Sequence, residues 1–390
     1  MNNNLKNELS IIPDYDRRII TKSVAERIAE MKGLLQLYIA SDMTAQIYQK
    51  MYLSSVMAIE KKKDIAAKRQ MYENFKCSRS QSYVGILGGN DCYSIIGNSG
   101  IGKTSAIERS IELINRNTEE INGAKILNVL VVQTPFDCSV KGLMLEIIRL
   151  VDLNLGTTYN QRIRTAMTTD MLVGMVSQIC LSHISVLVLD EIQNINGSKN
   201  GAYLVKLITQ LINSCGIAIV FVGIEEVEEF FQKDMFLARR TIGLRFYPMK
   251  FDDEYYRFCE ALWSYQYTKE KEEFSEQTAY WLYQHTQGIS SITKGLIMEA
   301  QQIAIVSGRD KLDITALEEA YKQRYQMLYQ YVAPPTVKLS KPAKGKKKEK
   351  IAIQEKCEIN DLPYSQIVNG AVGDVVAEIK KYISVLEVAV

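Results

Sequence analysis

Apolar residues recur along this chain with two different periods, and the change between them divides it. From about residue 15 to residue 77 the spacing is helical: Ser23 with Glu26 makes a capping-box pattern, and Val24, Ile28, Met31, Leu35 and Tyr38 follow on one face. A second helix is predicted from Met43 through Ile47, Met51 and Val56 toward Lys61, Lys62 and Lys63. The two read as a helical hairpin packed on a main domain, with their lysines and arginines on a solvated face. A docking surface for a partner is the other reading.

Beyond residue 90 the pattern shortens. Asp91–Ile96, Ile126–Val132, Ile184–Leu189 and Ile217–Val222 are short runs, mostly aliphatic and β-branched, as strands covered on both faces require, and a fifth strand is predicted around Leu244–Met249. Between them lie helical segments at Thr104–Asn115, Leu143–Leu153, Tyr159–Leu181 (lightly interrupted by Gly174) and the acidic Glu225–Phe231. Strands alternating with helices predict an α/β fold with a parallel sheet and ligands at the carboxyl ends of its strands.

The helical period returns from Asp252 to about Tyr331, carried by Tyr256, Cys259, Leu262 and Tyr265 and later by Ile292, Leu296, Ala300 and Ile303. This is the pattern of a small helical lid. Residues 332–350 are rich in lysine and proline and read as a disordered basic linker. Residues 351–390 are too few to fold alone and read as a tail that docks back or recruits a partner. The expected boundaries are therefore 1–78 (N-terminal helices), 79–251 (α/β domain), 252–331 (lid), 332–350 (linker) and 351–390 (tail).

Composition narrows the class. At 390 residues, 24% charged and 47% hydrophobic, with no apolar run near the length of a membrane span, the chain reads as soluble, without a membrane anchor. Its first six residues lack the apolar core of an export signal. Seven scattered cysteines without a C-x-x-C pair suit reduced cytoplasmic thiols. Two histidines, His183 and His285, leave little material for a His-rich metal site or a Ser-His-Asp triad. The net charge of +2 neither demands nor excludes nucleic acid.

The chemistry lies at two strand ends. Gly97-Asn98-Ser99-Gly100-Ile101-Gly102-Lys103-Thr104, followed by Ser105, fits the phosphate-loop pattern. Its glycines let consecutive N–H groups turn toward an anion at a helix N-terminus, Lys103 can reach terminal phosphates, and the Thr104 hydroxyl can ligate Mg²⁺. The strand Ile184–Leu189 runs directly into Asp190-Glu191. That arrangement delivers Asp190 to the metal side of the site and puts Glu191 where it can polarise an attacking water.

Phosphate loop, acidic pair, fourth strand, arginine pair and helical lid, in that order, resemble an AAA+ ATPase. Within that superfamily the chain resembles the TnsC/TniB family of transposition regulators. The resemblance rests on the loop itself, on Thr134-Pro135-Phe136-Asp137-Cys138-Ser139-Val140-Lys141-Gly142-Leu143, on Val151-Asp152 followed by Leu155-Gly156-Thr157-Thr158-Tyr159, and on Leu189-Asp190-Glu191-Ile192-Gln193. It spans roughly residues 80–310. It implies ATP and Mg²⁺ as cofactors and assembly as a homo-oligomer, a helical filament or ring, on double-stranded DNA. It further implies a link between a TniQ/TnsD-like target selector and TnsA/TnsB-like transposase subunits.

The same resemblance implies that Arg239 or Arg240 completes the nucleotide site of a neighbouring subunit, and that Lys141, Thr157, Thr158 and Arg162 contact the DNA backbone. The family has a polar residue after the glycine ending the fourth strand; here the pair is Gly223-Ile224. Nor does the lid segment Gly288–Lys294 offer an arginine, with Lys294 the nearest substitute. Both departures predict slow hydrolysis, or a switch that depends mainly on binding. A helicase-loader or insertion-sequence-helper ATPase is the alternative reading; it would lack the long N-terminal helices and basic tail. A small-molecule P-loop kinase would need neither the arginine pair nor the lid.

Overall fold

The computed structural model describes residues 3–63, 92–116, 120–121, 123–164, 167–195, 200–232 and 242–326. All lie in the first of the chain's two units, Met1–Pro335. Arg239, Arg240 and the expected linker and tail fall outside the described residues.

Five parallel strands form the central sheet: β1 (Tyr93–Gly97), β2 (Leu127–Gln133), β3 (Ile184–Asp190), β4 (Ala218–Gly223) and β5 (Leu244–Phe246). Their order is β2-β3-β4-β1-β5. The chain leaves β1 for the far edge and works back to it, so β1 is flanked by strands not adjacent to it in sequence and opens a crevice at its carboxyl end. Every predicted strand is present, with ends shifted by one to a few residues. A short hairpin of Glu120–Ile121 with Ala124–Lys125 was not anticipated.

Alternation along each strand sends side chains into two separate cores. Leu187, Ile219 and Phe221 pack on one face with α6 (Val140–Leu155), α7 (Thr169–His183) and α8 (Gly201–Cys215). Val186, Val188 and Val220 pack on the other with α5 (Lys103–Ile114) and α4 (Asp42–Lys63), which contributes Ile47 and Met51. An N-terminal helix thus supplies part of the layer that a sheet apolar on both faces requires. The α8 helix has no counterpart among the predicted elements, although Leu204, Leu207, Ile208, Leu211 and Ile212 recur at helical spacing and are buried.

The helix expected over Tyr159–Leu181 is instead a 3₁₀ turn, Tyr159–Arg162, and the separate helix α7. Local polar chemistry makes the break. The Asp152 carboxylate collects the Thr157 hydroxyl (2.6 Å) and the N–H groups of Tyr159 (2.9 Å) and Asn160 (2.7 Å), and Thr168 caps α7 through the Met171 N–H. His183 is structural, its ring held by the Tyr159 hydroxyl at 2.7 Å and the Lys125 carbonyl at 2.8 Å.

The N-terminal residues divide between two partners. The capping box of Ser23 and Glu26 is present, but the helix it starts is short: α2 (Val24–Glu30) gives way to α3 (Lys32–Gln36). Ile19, Met31, Leu34 and Leu37 share a core with Tyr255, Leu262, Leu296 and Leu317 of the lid, rather than closing a hairpin on α4. The lid itself comprises α10 (Asp253–Ser264), α11 (Glu276–Thr286), α12 (Ser290–Val306) and α13 (Ile314–Ala320).

A buried ion pair helps to fasten this arrangement. Arg27, 1% exposed, grips both carboxylate oxygens of Asp310 (2.5 and 2.9 Å) and donates to the Tyr267 carbonyl at 3.0 Å. Burial alone would raise the Asp310 pKa, but the Arg27 guanidinium and the Lys269 N–H outweigh it and hold the carboxyl below its usual range.

Candidate nucleotide-binding and hydrolysis site

β1 ends at Gly97, and the loop 98–102 passes the chain to α5, which begins at Lys103. Gly100 (φ 81°) and Gly102 (φ 94°) adopt left-handed backbone, the conformation that lets the loop curl over the positive end of α5. Lys103 is buried, and its ammonium donates to the carbonyls of Gly97 and Asn98, both at 2.7 Å. Burial lowers its pKa, partly offset by the negative charges of Asp190 and Glu191. Thr104 and Ser105 lie exposed on the first turn of α5.

Asp190 closes β3 and is buried. Burial raises its pKa and the Glu191 charge adds to this, against the Glu191 N–H (2.9 Å) and Lys103. Glu191 follows in left-handed backbone (φ 55°), rare for a residue with a side chain and enriched at functional turns. Its carboxylate is exposed and accepts a hydrogen bond from Gln193 Nε2. The phosphate loop and the acidic pair are therefore close enough for both carboxylates to act electrostatically on Lys103.

The donor set suits Mg²⁺. A Thr104 hydroxyl and an Asp190 carboxylate are oxygen ligands of the kind that cation takes, with phosphates and water completing an octahedron. No group of three or more His, Cys, Asp or Glu among the described residues could hold a metal by itself.

The lid touches the loop directly. The Ser291 N–H (3.1 Å) and the Ser290 hydroxyl (3.2 Å), at the start of α12, both donate to the Gly100 carbonyl. Sequence reading missed these serines because nothing in a Ser-Ser pair marks it as a partner of a loop 190 residues away. Lys294, the expected substitute for a lid arginine, is committed elsewhere: its ammonium donates to the carbonyls of Leu35 (2.7 Å) and Leu37 (2.9 Å).

The four residues expected to contact DNA fall into two groups. Lys141 is exposed at the start of α6, while Thr157, Thr158 and Arg162 follow its C-terminal end. A helix of 16 residues separates them by about 24 Å. Thr157 is tied to Asp152, and the Arg162 guanidinium lies over the Tyr159 ring at 5.4 Å. Thr158 and Arg162 are exposed.

Replacing Lys103 with alanine removes the charge-assisted contacts available to terminal phosphates. We expect the Kd of a fluorescent ATP analogue to rise at least about tenfold. An unchanged Kd would remove Lys103 from the site.

No curated protein matches the chain. Solved structures similar to it include the Aeropyrum pernix ORC2 protein in ADPNP-ADP complexes (15% identity over 66% of this chain and 67% of that one, TM-score 0.42). Others are domain III of the Thermotoga maritima replication initiation protein DnaA (13%, 70% and 94%, TM-score 0.38) and the Thermotoga maritima RuvB branch migration motor (13%, 66% and 68%, TM-score 0.37). At such identities a likeness concerns fold alone, and the superpositions are too loose to add to the strand order already seen. The family comparison is more specific. Residues 89–249, which span all five strands and both the phosphate loop and the acidic pair, match the family model described as bacterial TniB protein.

Proposed function

We propose that the chain is an ATP-hydrolysing regulator of DNA transposition that assembles as a homo-oligomer on duplex DNA. It would connect a TniQ/TnsD-like target selector to TnsA/TnsB-like transposase subunits. The observation carrying this reading is the convergence of Lys103 with Asp190 and Glu191 at the carboxyl ends of β1 and β3, inside the segment that matches the TniB family.

Each residue then has a task. Lys103 leaves the Gly97 and Asn98 carbonyls for the terminal phosphates, and the loop N–H groups hold the remaining phosphate oxygens. Thr104 and Asp190 would hold Mg²⁺, which when bound would neutralise charge on the phosphates. Glu191 orients a water and takes its proton as the water oxygen bonds to the γ-phosphorus and the bond to the β-phosphate oxygen breaks. Arg239 or Arg240 of an adjacent copy offsets charge on the transferring group, so the site works fully only in an assembly.

Contacts to DNA from Lys141 and Arg162 are of the backbone type, sequence-independent and steeply salt-sensitive. Their separation along α6 implies two footholds per protomer on the duplex. Substituting either by alanine should reduce the slope of log K against log salt by about 1. A slope that does not change identifies that residue as no phosphate contact.

A further inference from the structure

The 3₁₀ turn Ile192–Ile195 after the acidic pair is anchored by two hydrogen bonds of Asn194. Asn194 Nδ2 donates to the Thr134 carbonyl at 2.9 Å, and the Cys138 thiol donates to the Asn194 carbonyl at 3.1 Å. The turn is therefore fixed to the loop that follows β2, and Gln193 is presented from it in a defined place.

That place has two neighbours. On one side the Gln193 amide donates from Nε2 to the Glu191 carboxylate. A carboxylate can only accept, so the amide nitrogen must be the atom facing it. On the other side a Cβ built on Gly223 would lie 3.1 Å from Gln193 Oε1, so the amide sits against the end of β4. Oε1 is itself buried and has no hydrogen-bond partner. Leaving such an acceptor unmet costs free energy.

Gly223-Ile224 puts no polar side chain at the end of β4. The space beside it holds the Gln193 amide, which comes from the β3 end of the site and is bonded to the residue assigned to activate water.

We propose that Gln193 is a positioning residue that restrains the Glu191 carboxylate and keeps basal ATP hydrolysis slow. The inference rests on the hydrolytic role given to Glu191 above. A carboxylate held by a donor amide is a weaker proton acceptor and is not free to align a water. Losing that donor releases it, whereas the loop, Lys103 and Asp190 that bind the nucleotide are untouched.

The test is steady-state turnover of the full chain with ATP and Mg²⁺, together with the Kd of a fluorescent ATP analogue. Wild type is compared with Gln193→Leu, Gln193→Ala, Glu191→Gln and the Glu191→Gln/Gln193→Leu double variant. The leucine keeps the bulk of the glutamine without its donor, so it guards against mere collapse of the turn. Both Gln193 variants should raise kcat about tenfold with KM and Kd unchanged, since a hydrogen bond to a charged group has been removed. The rise should vanish in the double variant. A kcat equal to or below wild type in both, or a gain that survives Glu191→Gln, overturns the restraint while leaving the ATPase reading intact. Wild-type turnover that persists in Glu191→Gln alone overturns the hydrolytic reading and this inference with it.

Discussion

Glu191→Gln should bind ATP with unchanged Kd and hydrolyse it about 10²- to 10⁴-fold more slowly than wild type, the range expected when a positioned general base is lost. The structure sets both halves of this expectation. Glu191 follows the buried Asp190 on a left-handed turn and is exposed, so its substitution leaves the phosphate loop and the oxygen donors for Mg²⁺ in place. Glutamine is nearly isosteric but cannot accept the proton of an attacking water. The same variant should therefore accumulate in its ATP-bound form and remain assembled on DNA longer than wild type. Equal turnover in the two proteins, measured by phosphate release, would take Glu191 out of its assigned role.

The second large effect concerns the fastening of the N-terminal segment to the lid. Asp310→Ala leaves the Arg27 guanidinium buried with the Tyr267 carbonyl as its remaining partner among the described residues. Breaking one side of a buried ion pair costs about 3–5 kcal/mol, because the remaining charge stays desolvated without its counter-charge. We expect a loss of that size in urea denaturation. The double variant Arg27→Met/Asp310→Leu should recover much of it, since no charge then remains buried. A single-variant loss below about 1 kcal/mol would mean that the pair is effectively solvated and does not hold the segment.

The consequence reaches the nucleotide. Residues of the N-terminal segment share a core with the lid, the lid serines rest on the Gly100 carbonyl, and α4 backs the sheet beside β1. Residues 3–63 thus touch both the sheet and the lid that flank the phosphate loop.

The strands were legible because residues such as Val186 to Leu189 are apolar at successive positions, which a parallel sheet covered on both faces demands. The phosphate loop was legible because its chemistry is local: glycines, lysine and threonine act within eight consecutive residues. What stayed hidden depends on distant partners. Periodicity placed Met31 and Leu34 on a helix face but could not say that this face meets the lid rather than α4. Lys294 carries the right charge for a sensor, yet its partners, the Leu35 and Leu37 carbonyls, are more than 250 residues away. Gln193 belongs to a sequence motif that gives it no role by itself, since only the geometry sets its amide between Glu191 and Gly223. The helix α8 was missed despite a plain helical pattern, with Gly216 in left-handed backbone marking its end.

The central claim is that nucleotide occupancy at Lys103, Asp190 and Glu191 is read out as assembly on DNA. Electron microscopy of the full chain with duplex DNA, in the presence of either a non-hydrolysable ATP analogue or ADP, tests it most directly. The account predicts ordered oligomers on the duplex with the ATP analogue, and their absence with ADP or with Lys103→Ala. Assemblies that form equally in all three conditions, or in none, would contradict it.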